Sequence, residues 1–127
     1  ANYKGTSALS EPESKALANL ANSANWTMTI SYHSMGNLVY WDFAGNKVAE
    51  QSKALADLVT GITGYRINRS SGKGGFKDYV QIKDSPIPSL TIEVGSVACP
   101  MPVSEFGNVW NSNQSILAAL AAYAADH

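Results

Sequence analysis

Apolar and polar positions alternate strictly through Trp26-Thr27-Met28-Thr29-Ile30-Ser31-Tyr32. Trp26, Met28, Ile30 and Tyr32 then share one face, which predicts a half-buried strand. His33 follows at the C-terminal end of that strand. Leu38-Val39-Tyr40-Trp41, bounded by Gly36 and Gly45, predicts a second short strand. Tyr65-Arg66-Ile67 and Leu90-Thr91-Ile92-Glu93-Val94 read as two more. Between these segments the period becomes helical. Ser10-Glu11-Pro12-Glu13 has the form of a capping box with Ser10 at the N-cap, and Ala16, Leu17, Leu20 and Ala21 form a stripe behind it. A helix is predicted there, and another where Val48, Leu55, Val59 and Ile62 recur, with Gly61 as its C-cap. The alanine-rich end, from Ser104 to Ala125, reads as helix. Phe76 to Ile82 fits helix and strand alike, and the segments around Gly74 and Pro86 are loops. Strands alternating with helices predict an α/β domain. In such sheets, sites collect at the C-terminal ends of the strands.

Length and composition narrow the function classes. The 127 residues suit one domain or part of a larger one. With 45% hydrophobic and 15% charged residues, the chain is too apolar for disorder. A net charge of −1 argues against nucleic acid or an anionic membrane surface as the main partner. One cysteine, Cys99, excludes an internal disulfide framework. No apolar run approaches the ~20 residues of a membrane span. Ala1-Asn2-Tyr3-Lys4 has no signal-peptide core, so any export signal is expected to be already removed or never present.

Two residues stand out chemically. His33 is a histidine at a strand end before a glycine-containing turn; such a residue is either structural or a ligand or base. Glu93 is a carboxylate inside an apolar strand. It is either paired or aimed into a cleft as a general base. Other motifs fail. Ser70-Ser71-Gly72-Lys73-Gly74-Gly75 lacks the phosphate-binding G-x-x-x-x-G-K-[ST] pattern and reads as a flexible loop. Ser34 is not in a G-x-S-x-G elbow, because Tyr32 stands where the first glycine belongs. A Cys99–His33 nucleophilic pair has no local signature. Neither H-x-x-E nor H-E-x-x-H occurs, so the chain supplies no complete zinc motif.

Taken in order, the segments resemble the C-terminal half of a zinc metallocarboxypeptidase. Ser10-Glu11-Pro12-Glu13 resembles the family's helix start. Ile30-Ser31-Tyr32-His33-Ser34 resembles the strand that ends in its third zinc ligand. Gly64-Tyr65 resembles the segment of its mobile tyrosine, and Gly74-Gly75-Phe76-Lys77-Asp78-Tyr79 the segment shaping its specificity pocket. Thr91-Ile92-Glu93-Val94-Gly95 resembles the strand of its catalytic glutamate. Tyr32-His33-Ser34-Met35-Gly36 followed by Tyr40-Trp41, and Glu93-Val94-Gly95 followed by Pro100-Met101-Pro102, are most similar to the bacterial branch that cuts cell-wall peptides, the γ-D-glutamyl-L-diamino acid peptidases.

The resemblance implies one mixed-sheet α/β/α domain of which residues 1–127 are the C-terminal part. It implies one Zn2+ with His33 as a ligand, and Glu93 as the general base. Tyr65 would hydrogen-bond the substrate, and the main-chain carbonyl of Ser34 would hold the substrate backbone. Lys77 would stand at the pocket floor, where a cation prefers an acidic group such as the extra carboxylate of diaminopimelate or a glutamate side chain. The alternative for Lys77 is a solvated surface lysine. The substrate would be a cell-wall peptide, which suggests secretion or attachment to a bacterial wall.

The family's other two zinc ligands and its substrate-binding arginines belong to an N-terminal half that is not in this sequence; Arg66 and Arg69 fall on no matching position. The expectation is an incomplete catalytic domain, inactive alone, with the remaining zinc ligands outside this chain. An exposed strand edge and apolar face are expected, with self-association or pairing to the missing half. The competing functions are a non-catalytic module that binds peptidoglycan peptides, and a Cys99-based hydrolase.

Overall fold

A computed structural model of the chain describes residues 5–70 and 74–127. The elements are α1 (Pro12–Asn22), β1 (Thr29–Ser34), β2 (Leu38–Asp42), α2 (Ala49–Thr63), β3 (Arg66–Arg69), α3 (Phe76–Ile82), β4 (Ser89–Val94), a 3-10 turn (Val103–Glu105), α4 (Phe106–Asn113) and α5 (Ile116–Asp126). The expected α/β class is observed. The expected loop at Ser71-Gly72-Lys73 and the start at Ala1–Lys4 lie outside the described residues.

The four strands form one mixed sheet in the order β1-β4-β2-β3. β1 runs parallel to β4, β4 antiparallel to β2, and β2 parallel to β3. Successive side chains of a strand point to opposite faces. One face carries Ile30, Leu90, Ile92, Val94 and Val39. This face is covered by α2 and α5, whose Leu55, Ala56, Val59, Ile116 and Leu120 complete the main core. A second cluster of Ala21, Val80 and Ile87 joins α1 and α3.

Several boundaries move for physical reasons. His33 lies inside β1 rather than after it, because pairing with β4 continues through Ser34. Trp26 is not in the strand. Its indole N–H donates to the Leu20 carbonyl at 2.7 Å, capping the end of α1. Ser10 is not the N-cap of α1: Glu11 is, and the Ser10 hydroxyl accepts from the Thr6 N–H instead. The buried face of α1 is Ala18 and Ala21, while Leu17 and Leu20 are exposed. α2 runs one turn past Gly61 to Gly64, whose φ of 72° takes the left-handed conformation that a helix C-cap requires. Phe76–Ile82 is helix, and the C-terminal helix breaks in two between Asn113 and Ile116.

β1 and β3 are the edges of the sheet. Its apolar face is buried at Val39, Leu90, Ile92 and Val94, while Tyr32 and Ile67 on the edge strands stay exposed. Further exposed apolar groups lie on the helices, at Phe106, Trp110 and Leu117 among others. No helix among the described residues is long and apolar enough to cross a membrane.

Leu55 is 2% exposed at the centre of the main core. Leu55→Ala is expected to destabilise the fold by about 2–5 kcal/mol, through lost burial and the cavity left behind. Leu117→Ala, at an exposed position, is expected to change stability by less than about 0.5 kcal/mol. Urea unfolding of the two variants checks both.

Candidate active site

The other face of the sheet is polar and ordered in rows. Register places His33 beside Glu93, Glu93 beside Leu38, and Leu38 beside Arg66. The next row is Ser31, Thr91, Tyr40 and Asn68. Residues two apart on a strand share a face, and adjacent strands lie roughly 4.8 Å apart. His33 and Glu93 therefore project side by side from neighbouring strands. They stand where β1 and β4 both end, the end at which α/β sheets collect ligands. His33 is exposed and Glu93 half-buried.

The loops leaving this end are tied together. The Gly36 N–H donates to the Gly95 carbonyl at 2.7 Å. Gly95 has φ 79°, and a Cβ there would fall 2.8 Å from Met101 Sδ. The left-handed conformation favours glycine, and a side chain there would have to displace Met101. Glu105 Oε1 accepts from the Ser96 N–H at 3.1 Å, so the turn after Glu93 is pinned to the segment before α4.

Ser34 follows His33 on the strand, so its side chain leaves from the opposite face. Its hydroxyl lies 3.7 Å from Cys99 Sγ, and the Cys99 thiol donates to the Ser34 carbonyl at the same distance. The contacts of Cys99 are with Ser34, and nothing in them forms the His33 pair that a cysteine hydrolase needs. Tyr65 immediately precedes β3 at the same end of the sheet but packs into the helix-covered core. Its hydroxyl accepts from Asn113 Nδ2 at 2.9 Å. The structure thus brings His33 and Glu93 together and leaves Tyr65 on the other side of the sheet.

Lys77 is not a solvated lysine. It is 3% exposed. Its ammonium donates to Asp78 Oδ1 at 2.6 Å and to Gln81 Oε1 at 3.2 Å, and lies 5.0 Å from the Phe43 ring centroid. These partners offset the desolvation that an unpaired ammonium would suffer. Gln81 is fixed in turn by donating to Trp41 O, Ser52 Oγ and Ser89 O. Lys77 also lines a cavity of about 480 Å³ whose floor is Thr91, Tyr40 and Asn68, the row next to His33 and Glu93. Two partners here were not expected from sequence. Arg69 Nη2 pairs with the buried Asp42 Oδ2 at 2.6 Å, and Ser70 Oγ donates to Asp78 at 3.2 Å. A carboxylate closing an apolar strand at Asp42, and the Lys77-Asp78 adjacency, were the available signals.

Among the described residues, no three His, Cys, Asp or Glu side chains are grouped to hold a metal ion. His33 therefore lacks co-ligands within them.

Two curated proteins are similar to this chain. One is the gamma-D-glutamyl-L-diamino acid endopeptidase 1 of Lysinibacillus sphaericus, 31% identical over 118 residues, a match covering 92% of this chain and 29% of that protein. The other is the uncharacterized protein YqgT of Bacillus subtilis (strain 168), 25% identical over 117 residues, covering 91% of this chain and 31% of that protein. The chain spans about three tenths of the length of these relatives. No family model matches, and no solved structure matches.

Burial pushes the Tyr32 phenol above its ordinary value of 10.0, and neighbouring Tyr65 adds to the rise. A raised acid favours its neutral form in the folded state. This contribution to stability is therefore intact below pH ~10 and lost as pH rises through the folded value. Ultraviolet titration of the tyrosines should lose its late-ionising component in Tyr32→Phe. Above pH ~10, the parent chain should lose stability faster than that variant.

Proposed function

We propose that this chain forms part of a zinc-dependent, carboxypeptidase-like peptidase that hydrolyses bacterial cell-wall peptides. The observation that carries the reading is the in-register pairing of His33 with Glu93 on the polar face, at the C-terminal ends of two parallel strands. It is supported by similarity to a protein named as an endopeptidase for γ-D-glutamyl-L-diamino acid linkages.

Glu93 takes the part of general base. It is half-buried beside Leu38 and the Gly36 turn, where a Cβ at Gly36 would lie 3.9 Å from Glu93 Cβ. It accepts a proton from the attacking water and returns it to the leaving amine. His33 is one zinc ligand. The described residues do not make a zinc site by themselves, so the other two ligands come from outside this chain. Zinc, when bound, supplies Lewis acidity to the scissile carbonyl. The Ser34 carbonyl holds the substrate backbone once it exchanges its weak thiol donor for a peptide N–H. Tyr65 reaches the substrate only by leaving its Asn113 hydrogen bond and the core, so its part in the reaction is a closing movement.

The test is native intact mass with and without a chelator, alongside hydrolysis of a γ-D-glutamyl-diamino acid peptide. The expected result is an assembly heavier than 13.5 kDa that loses one zinc and its activity together. Hydrolysis unaffected by the chelator would overturn the reading. Peptide binding by a metal-free chain that never cuts would make it a recognition module instead.

A further inference from the structure

Glu105 stands next to the site without a part in the reaction described above. It holds the N-cap position of α4, yet its side chain makes no capping hydrogen bond to that helix. The side chain turns back toward the end of β4 instead. Oε1 accepts from the Ser96 N–H at 3.1 Å, while Oε2 is buried and accepts no hydrogen bond among the described residues. A Cβ placed on Gly95 would lie 3.1 Å from that Oε2, so the carboxylate rests against the Gly95 backbone. The main chain of Glu105 is fixed in turn, because its N–H donates to the Pro102 carbonyl at 3.0 Å. Burying a carboxylate oxygen without a donor costs stability. The gain lies in the turn that the carboxylate holds.

That turn begins where the sheet stops holding Glu93. On the β2 side the ladder ends at Glu93, opposite Leu38, and on the β1 side it ends one residue later, at Val94. Beyond Val94 the backbone depends on loop contacts. The Gly95 carbonyl accepts from the Gly36 N–H at 2.7 Å, which ties it to the turn after His33, and the Ser96 N–H is held by Glu105. Gly95, with no side chain and φ 79°, is a hinge between the strand and Ser96. Glu105 closes that hinge. A general base must stay within hydrogen-bond reach of the proton it takes. A misplacement of about 1 Å can cost about 10²-fold in rate.

We propose, resting on the peptidase reading above, that Glu105 is a positioning residue for Glu93. It acts through the Ser96 N–H and Gly95, and it aligns the base without meeting substrate or metal. The accepting oxygen carries this role rather than the charge, so a glutamine can take it over.

Steady-state kinetics of the assembled, zinc-loaded protein on a γ-D-glutamyl-diamino acid peptide test this, with turnover expressed per bound zinc. Glu105→Ala is expected to keep its zinc, to lose about 10–100-fold in kcat, and to hold KM within about twofold. Glu105→Gln should recover kcat to within about threefold of the parent. Val103→Ala, 90% exposed in the same 3-10 turn, should leave both constants as they are. Parent-like turnover per zinc in Glu105→Ala, even with a lowered melting temperature, would make the contact merely structural and overturn the inference. A rise in KM at unchanged kcat, or a Glu105→Gln as slow as Glu105→Ala, would also overturn it. These outcomes leave the peptidase reading standing. A parent protein that does not cut, or that cuts regardless of chelator, would overturn both.

Discussion

The parallel pairing of β1 with β4 is the constraint on which the rest depends. Side chains alternate between faces with a period of two, so sliding β1 by one residue would turn His33 into the helix-covered core and bring Tyr32 beside Glu93. The apolar face opposes that slip. Ile30, Leu90 and Ile92 must all meet α2 and α5, and this holds only in the observed register. Packing on one face thus fixes the chemistry on the other. The Gly36–Gly95 hydrogen bond and the Glu105 contact with Ser96 extend the same alignment into the loops beyond the strands.

The polar face combines two kinds of group. His33 and Glu93 stand at its open end, exposed and half-buried, where a substrate can reach them. One row further in, the charges are matched: Lys77, Asp78 and Asp42 are buried, and Arg69 is exposed. Lys77 is held by Asp78 and Gln81, and Gln81 is anchored to main chain on β2 and β4. A buried ammonium without those partners would be costly to keep charged. This network fixes the position of the Lys77 ammonium at the edge of the cavity.

Much of the fold was legible in the sequence because each element signals itself locally. Alternation marked β1, an apolar run marked β4, and apolar spacing marked α2. Local pattern failed where tertiary context decides. Gly61 looked like a C-cap, but α2 continues through Thr63 and the left-handed cap conformation falls at Gly64. Leu17 and Leu20 looked like the buried stripe of α1, yet the helix buries only Ala18 and Ala21. His33 and Glu93 were each visible as unusual residues, but their adjacency is a matter of strand register across sixty residues. Lys77 was the hardest to place, because Phe43 lies far away in sequence and Gln81 meets it only once Phe76–Ile82 is helix. Arg69 and Asp42, from different strands, were invisible as a pair for the same reason.

The central claim is that His33 and Glu93 serve one reaction in different parts, a ligand and a base. The direct measurement is turnover and bound zinc in the assembled protein carrying Glu93→Gln or His33→Ala. The account predicts that Glu93→Gln keeps its zinc and loses about 10²–10⁴-fold in kcat, whereas His33→Ala loses the metal along with activity. Full turnover by Glu93→Gln, or undiminished zinc in His33→Ala, would contradict it.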